Sequence, residues 1–147
     1  MSDQTPPATP GEARGVGLRV LVVDARPDAT DTLAMLLKLW GYQPTVAYTA
    51  ATALDLAQAQ RPDVVLLDIG LPGMDGREVA RRIRQLAGMD RVLLVAVTGH
   101  GGEQEERSCR EAGFDLHLLK PFDPEALQRI LAARVRPRDA GGPDPSS

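Results

Sequence analysis

With 147 residues and 43% apolar side chains, the chain has enough hydrophobic material to bury the core of one ordinary domain. Its 17 basic and 20 acidic residues are interleaved and give a net charge of -3, so nucleic acid is not an expected partner. The longest apolar run, residues 92–97, is too short to cross a bilayer, and we expect a soluble, cytoplasmic protein without membrane contact.

The two ends of the chain differ from the middle in composition. Residues 1–17 and 136–147 are rich in proline, glycine, serine and charge, and they carry too little apolar surface to offset the entropy of ordering. We therefore predict flexible tails at both ends and one domain at residues 18–135.

The first half of that domain contains two predicted pairs of strand and helix. A nearly unbroken apolar run predicts strand 1 at Leu18–Val23, and leucines at helical spacing follow it as far as Trp40. A shorter run predicts strand 2 at Thr45–Tyr48. An alanine-rich segment at Thr49–Ala59 predicts the second helix.

Strand 3, strand 4 and the helix between them have clearer signals. Val64–Leu67 and Val92–Val97 are wholly apolar, which is typical of strands that are covered on both faces in a parallel sheet. Between them, Asp75 with Glu78 three residues later predicts a capping box at the start of a helix. An apolar stripe that ends at Leu86 predicts the buried face of that helix.

The final part of the domain begins with an unusually polar segment. Glu103–Ala112 predicts a fourth helix in which only Cys109 and Ala112 are apolar, so we expect either the least firmly packed element or a plain solvated helix. Leu116–Leu119 predicts strand 5. Asp123, which a proline follows, predicts the N-cap of a fifth helix.

The strict alternation of strand and helix predicts an α/β fold, a doubly wound (βα)5 parallel sheet. The carboxyl ends of such strands share one edge, where ligands bind, and the predicted strands deliver Asp24, Asp68, Thr98 and Lys120 to it. Each residue alone has an ordinary explanation as a cap, a turn residue or a surface lysine, but their coincidence favours a site. The chain uses arginine fifteen times and lysine only at positions 38 and 120, which indicates that position 120 requires a compact ammonium.

Four segments carry a resemblance to a known family. They are VLVVDARPDA at residues 20–29, PDVVLLDIGLPGMDG at 62–76, VTG at 97–99 and LLKPF at 118–122. Over about residues 18–134 the chain resembles the receiver domains of bacterial response regulators, which act in two-component phosphorelays. The resemblance implies a flavodoxin-like sheet with strand order 2-1-3-4-5 and, for this chain, a single-domain regulator that acts through partner proteins.

The resemblance also implies a role for each residue at the strand ends. Asp68 would accept a phosphoryl group from a sensor histidine kinase or a histidine phosphotransfer protein and form an acyl phosphate. Asp24, Asp68 and the backbone carbonyl of Gly70 would hold Mg²⁺. Thr98 and Lys120 would donate to the phosphoryl oxygens once the group has arrived.

Three further positions would control the response in the resembled family. His117 would turn inward when Thr98 is drawn to the phosphoryl group, and the loops and the fourth helix would report the change. A strand-end histidine without a switching role is the alternative for His117. Gly70 and His100 occupy positions that tune the lifetime of the phosphoryl group. The resemblance also implies a downstream protein target as a partner.

The chain departs from the family pattern at Ala25. Receivers usually carry two adjacent acidic residues at the end of strand 1, and here the second of them is an alanine. Loss of a direct metal ligand is expected to lower the affinity for Mg²⁺ by roughly tenfold or more, although water can fill the vacant position. An alternative interpretation is a degenerate receiver that docks to proteins without being phosphorylated.

True enzymes are a third class of interpretation. A phosphatase with an aspartate nucleophile is expected to carry a second acid two residues after Asp68, but Gly70 stands there. A dinucleotide-binding enzyme is expected to carry GxGxxG after strand 1, and the sequence has no such motif there. We therefore expect a signalling module whose chemistry is at most self-phosphorylation from a phosphodonor and autodephosphorylation.

Overall fold

Strands and helices alternate throughout the part of the chain that the computed structural model describes, residues 18–71, 73–89, 91–99 and 101–141. The strands are β1 (Arg19–Val23), β2 (Gln43–Ala47), β3 (Val64–Asp68), β4 (Leu93–Thr98) and β5 (Leu116–Leu119). The helices are α1 (Pro27–Leu39), α2 (Ala50–Gln60), α3 (Gly76–Gln85), α4 (Glu103–Ala112) and α5 (Pro124–Gly141).

The strands form one parallel sheet in the order β2-β1-β3-β4-β5. β1 lies between β2 and β3, with Val22 paired to Val46 on one side and to Leu66 on the other. The strand order therefore reverses at β1, and the carboxyl ends of β1 and β3 flank the switch point where ligands bind in sheets of this type. The predicted fold class and strand order are confirmed.

Buried side chains cover both faces of the sheet. One face packs against α2, α3 and α4, and its core includes Leu21, Val65 and Ile83. The other face packs against α1 and α5, and its core includes Val22 and Leu127. Because the central strands β1, β3 and β4 are covered on both sides, successive residues in them are buried, which explains their apolar runs in the sequence.

Side-chain caps fix the starts of several helices. Thr49, Asp75 and Asp123 each accept a hydrogen bond from a backbone N–H two or three residues later, at 2.9 to 3.1 Å, and the predicted N-caps at 75 and 123 are thus confirmed. α1 begins with Pro27 instead and has no side-chain cap. At its other end, Trp40 is partly buried against the core on the α1 side.

One contact of the predicted capping box is wrong, namely the return hydrogen bond from the backbone N–H of Asp75 to the Glu78 side chain. Glu78 pairs along its own helix, where its carboxylate accepts from Arg81 at 3.2 Å and from Arg82 at 3.1 Å. These arginines lie three and four positions later on the same helix face, within reach of an extended carboxylate. Ion pairing within the helix therefore occupies the Glu78 side chain, which a capping box would need at the helix start.

The boundaries of β2 differ from the prediction. The strand begins at Gln43 rather than Thr45 and ends at Ala47. Pro44 is tolerated within it because β2 is an edge strand of the sheet, where one row of backbone donors is unpaired. Tyr48 lies beyond the strand, and its hydroxyl donates to Asp31 of α1 at 2.8 Å.

Helix α4 has the predicted bounds, and its buried residues are Cys109 and Ala112. An ion pair supplements this small apolar contact, because Arg77 of α3 approaches Glu105 of α4 to 2.8 Å, with both side chains about four-fifths buried. The attachment of α4 to the domain is thus partly electrostatic.

The two predicted tails lie largely outside the described residues, the N-terminal one at 1–17 completely. α5 continues through residues 136–141, beyond the predicted end of the domain at residue 135. Among the helices of the described ranges, none combines the length and the apolar character needed to span a bilayer.

Candidate functional site

The four residues predicted at strand ends lie at the same edge of the sheet. Asp24 follows β1 and Asp68 ends β3, and the residues immediately before them are register partners on these neighbouring strands. Thr98 ends β4 and is buried, and its backbone carbonyl accepts from the Lys120 backbone N–H at 2.7 Å. This last bond carries the parallel ladder to Lys120, so the fold itself delivers the lysine to the edge.

The ammonium of Lys120 lies between two carboxylates. Its Nζ is 3.3 Å from Oδ2 of Asp24 and 3.6 Å from Oδ2 of Asp68. The two acidic side chains are only 11% and 15% exposed, and the lysine side chain is 25% exposed. Three charges at the carboxyl ends of three separate strands therefore meet in a half-buried cluster, where their interactions are less screened than at a fully exposed surface.

Arg26 is a member of this cluster that sequence reasoning missed. Its Nη2 lies 3.2 Å from Oδ2 of Asp24 and its Nε 3.4 Å from Oδ1, while its backbone N–H donates to Oδ1 at 3.0 Å. The backbone contact is an Asx turn, which an aspartate just before a helix start is known to favour. The side-chain contact has no equivalent signal in the sequence.

The electrostatic environment holds Asp24 in its ionised form. Burial raises the pKa of this carboxyl group, but the hydrogen bonds from the Arg26 side chain and backbone, with the charges of Lys120 and Arg26, outweigh burial and leave the pKa below its ordinary value. For Arg26, the hydrogen bond and charge of Asp24 raise the pKa, and the charge of Asp68 adds to the effect. Arg26 is therefore electrostatically coupled to both carboxylates.

Two glycines shape the backbone around Asp68. The N–H of Gly70 donates to Oδ1 of Asp68 at 3.1 Å. Gly76, the first residue of α3, lies so close to β3 that a Cβ there would be 2.8 Å from the Asp68 carbonyl oxygen and from the Ile69 Cα. Glycine permits this approach, so α3 begins directly against the strand that carries Asp68. Gly76 stands in the PGMDG segment, but sequence reasoning gave it no role.

His117 is the second residue of β5 and is paired in register with Ala96. Its Nδ1 is 4.0 Å from a carboxylate oxygen of Glu106 on α4, and its side chain is 14% exposed. Its buried Nε2 has no hydrogen-bond partner in the described part of the chain. The structure thus places His117 against α4. His100, another of the three predicted control positions, lies outside the described residues.

Comparison with known sequences gives the family. A sequence profile described as the response regulator receiver domain matches residues 20–132. The chain belongs to the response regulator receiver family. The receiver is also 35% identical over 112 residues to an uncharacterized 14.6 kDa protein of Leptolyngbya boryana, which covers 76% of this chain and 86% of that protein.

Two larger regulators are similar to the receiver over part of their length. Response regulator MprA of Mycobacterium bovis is 36% identical over 128 residues, which cover 85% of this chain and 55% of MprA. The DNA-binding response regulator MtrA of Mycolicibacterium smegmatis is 36% identical over 118 residues, which cover 80% of this chain and 50% of MtrA. The receiver thus spans about half the length of these two relatives.

Solved structures with the same fold include receiver domains. A CheY-like receiver domain protein of Methanospirillum hungatei superposes with a TM-score of 0.76 at 25% identity and covers 84% of this chain and 97% of that one. The receiver domain of the sensor histidine kinase PA1611 of Pseudomonas aeruginosa superposes with a TM-score of 0.74 at 32% identity. The match covers 82% of this chain and 98% of that one. That structure has a magnesium ion coordinated in its active site cleft.

Receiver domains bind Mg²⁺, but the donors in this one fit a divalent ion poorly. Among the described residues, no group of three or more acidic, histidine or cysteine side chains is placed to hold a metal. Ala25 contributes no oxygen and packs against the core on the α2 side. Both oxygens of Asp24 already accept from Arg26 or Lys120. Asp68 remains as the main donor.

A cavity of about 810 Å³ opens beside the charged cluster. Asp24, Arg26, Asp68 and Lys120 line its polar end. The rest of its wall is largely apolar and comes from α1, the sheet and the segment after β5, including Leu33, Leu66, Val97 and Phe122. Both carboxylates can therefore be reached by a ligand from the cavity.

Proposed function

We propose that this receiver is a phosphoacceptor switch that takes a phosphoryl group onto Asp68 from a sensor histidine kinase or a histidine phosphotransfer protein. The observation that carries the proposal is the position of the Asp68 carboxylate, at a strand end and with Lys120 Nζ 3.6 Å from one oxygen. Its other oxygen is oriented by the Gly70 N–H at 3.1 Å. An ionised, oriented carboxylate beside a cation is a competent nucleophile for a phosphoryl group.

The transfer needs no general base. An oxygen of Asp68 attacks phosphorus, the P–N bond to the donor imidazole breaks, its electron pair returns to the nitrogen, and an acyl phosphate forms. Lys120, with three N–H donors, follows the charge from the carboxylate to the phosphoryl oxygens. The buried Thr98 at the end of the adjacent strand donates its hydroxyl to the same group.

Mg²⁺ would supply charge neutralisation between the carboxylates and the incoming group. The residues that would hold it are Asp68, the Gly70 carbonyl and, once released from its cations, Asp24. Because Ala25 adds no ligand, this receiver binds Mg²⁺ more weakly than receivers with an acid pair, by roughly tenfold or more.

The output of the switch passes through β5 and α4. When Thr98 moves toward the phosphoryl group, His117 on the neighbouring strand turns inward and leaves Glu106 of α4. α4 is the element to respond, because its apolar contact is small and its ion pair with Arg77 is exchangeable. Phosphorylation thereby shifts the population between two arrangements of α4, which a partner protein reads.

The test is covalent labelling of the full chain. Incubation with Mg²⁺ and acetyl phosphate is expected to add one phosphoryl mass to the wild type and to Asp55→Asn, which removes an exposed carboxylate on α2. Asp68→Asn should gain none. Hydroxylamine, which cleaves acyl phosphates, should remove the added mass. Labelling that persists in Asp68→Asn would contradict the proposal, and partner binding that is unchanged by this substitution would favour the docking-only alternative.

A further inference from the structure

Two adjacent residues after β1, the departure at Ala25 and the neighbouring Arg26, set the charge of the site. Ala25 removes one carboxylate, and Arg26 adds a cation that binds the remaining one. The cluster consequently contains two carboxylates, Asp24 and Asp68, and two cations, Lys120 and Arg26, so its formal charges sum to zero. With an acid pair and the lysine alone, three negative charges and one positive would leave -2, the charge that one divalent cation neutralises.

The guanidinium of Arg26 is well placed to neutralise the carboxylates of the cluster. It forms a forked contact with Asp24, at 3.2 and 3.4 Å, which uses two of the five N–H donors of the group. Its backbone is fixed as the N-cap of α1, where its carbonyl accepts from the Thr30 N–H at 3.1 Å. The side chain is 62% exposed and lines the polar end of the cavity together with Asp68 and Lys120.

We propose that Arg26 replaces the divalent cation of the receiver site, so that an oxyanion binds at Asp68 between two protein cations and largely without Mg²⁺. A guanidinium presents paired donors that match the oxygens of a phosphoryl group, and its exposed position lets it leave Asp24 for the arriving anion. Mg²⁺, by contrast, must displace Arg26 to use the Asp24 carboxylate. This inference rests on the proposed phosphoacceptor function and specifies its charge partner.

Binding of beryllofluoride, a stable mimic of the phosphoryl group, tests the inference without requiring turnover. Fluorine NMR of the full chain would measure its apparent affinity in EDTA and in excess Mg²⁺. For the wild type we expect less than about a threefold difference between the two conditions. Arg26→Ala should lose about tenfold or more of the affinity in EDTA and regain much of it with Mg²⁺. Arg26→Lys, which keeps the charge without the fork, should lie between them.

Two further variants complete the design. Ala25→Asp with Arg26→Ala rebuilds an acid pair, and calorimetric titration with Mg²⁺ alone should show at least about a tenfold gain in metal affinity over the wild type. Arg129→Ala removes an exposed arginine of α5 that lines a cavity near the start of β4, at the opposite edge of the sheet, and should behave as the wild type.

The outcomes separate this inference from the proposed function. Wild-type binding that disappears in EDTA, or that is unaffected by Arg26→Ala, would overturn the role of Arg26 while leaving Asp68 as the acceptor. Binding that is absent in both conditions, or unchanged in Asp68→Asn, would overturn both. Metal-independent binding that depends on Arg26 and on Asp68 supports both.

Discussion

The two edges of the sheet hold their partly buried cations in opposite ways. At the carboxyl edge, Lys120 lies 3.3 and 3.6 Å from two carboxylates on other strands, beside an open cavity. At the amino edge, Arg84 donates to the carbonyls of Val92 at 2.7 Å and Gly113 at 2.8 Å, and to the carboxylate of Asp115 at 2.6 Å. One cation has charged partners that a ligand can replace, and the other is bonded mainly to the backbone.

The difference shows how this chain divides work between its basic residues. Arg61 and Arg134, also near the amino edge, donate to the backbone carbonyls of Ala87 and Arg91, as Arg84 does to its own partners. A planar guanidinium with several donors can tie together loops that are distant in sequence. An ammonium is a mobile point charge. Arginine at the amino edge therefore serves stability, while the lysine at the carboxyl edge serves phosphoryl transfer in the function that we propose.

The largest expected effect is on stability, from Arg84→Ala. The substitution removes the arginine donors from two backbone carbonyls and from the Asp115 carboxylate, which keeps the Leu94 N–H, and we expect the free energy of unfolding to fall by about 3 kcal/mol. Urea denaturation measures this loss. Arg81→Ala, which removes a half-exposed ion pair on α3, should cost less than about 1 kcal/mol. Equal losses in the two variants would show that the amino-edge contacts carry no special stability.

Lys120→Gln is expected to show the opposite pattern, with a large loss of labelling rate and little loss of stability. Without the ammonium, the charge that develops on the phosphoryl oxygens loses a donor, and the rate of labelling by acetyl phosphate should fall about 100-fold. Asp24 keeps its contacts with Arg26, so the free energy of unfolding should change by less than about 1 kcal/mol. A large loss of stability with normal labelling would break the comparison, because it would make the lysine structural.

Gly76→Ala should affect both properties, since Gly76 joins α3 to the strand that ends in Asp68. A methyl group 2.8 Å from backbone atoms of Asp68 and Ile69 forces the helix start away from β3. We expect about 2 kcal/mol of destabilisation, measured by urea denaturation, and slower labelling. Gly99→Ala is the matched control, because a Cβ there meets no atom within 4 Å. Similar destabilisation in both variants would argue against the steric explanation.

The smallest effect concerns acid stability. The pKa of Asp24 is lowered in the folded protein, so its ionised form stabilises the fold at pH values above the ordinary aspartate pKa, and this contribution is lost as the pH falls through the folded value. Asp24→Asn should therefore cost about 1 kcal/mol at neutral pH. The difference from the wild type should shrink as the pH falls below the ordinary aspartate pKa of about 3.9 and vanish only below the lowered pKa of the folded protein. A more stable Asp24→Asn at neutral pH would mean that the cations do not offset the burial of this carboxylate.

Periodicity and strand topology account for most of what could be predicted. Unbroken apolar runs are distinctive of strands buried on both faces, and parallel strands necessarily bring their carboxyl ends to one edge, which placed Asp24 and Asp68 together. The strand order itself came from the resemblance to receivers, since alternation alone leaves several orders open. The sequence does not show which strands lie at the edge of the sheet. The predicted start of β2 was therefore placed after Pro44, although an edge strand tolerates this proline.

Side-chain pairing was the part that the sequence did not reveal. Glu78 has competing partners on its own helix, and their relative strength depends on side-chain conformations rather than on spacing. Arg84 and Asp115 are 31 positions apart, and no local pattern predicts such a contact. Arg26 is close to Asp24 in sequence, yet the direction of its long side chain is decided by the cluster that forms only when four strands have assembled.

The position of Trp40 has a practical consequence. α1 starts after the carboxyl end of β1 and returns to the beginning of β2, which places its last turn, and the one tryptophan of the chain, toward the amino edge. The intrinsic fluorescence of Trp40 therefore reports the unfolding of the amino edge, where arginines donate to backbone carbonyls. Ligand binding at the carboxyl edge leaves this fluorescence nearly unchanged, so the tryptophan signal can report unfolding while ligand occupancy is varied independently.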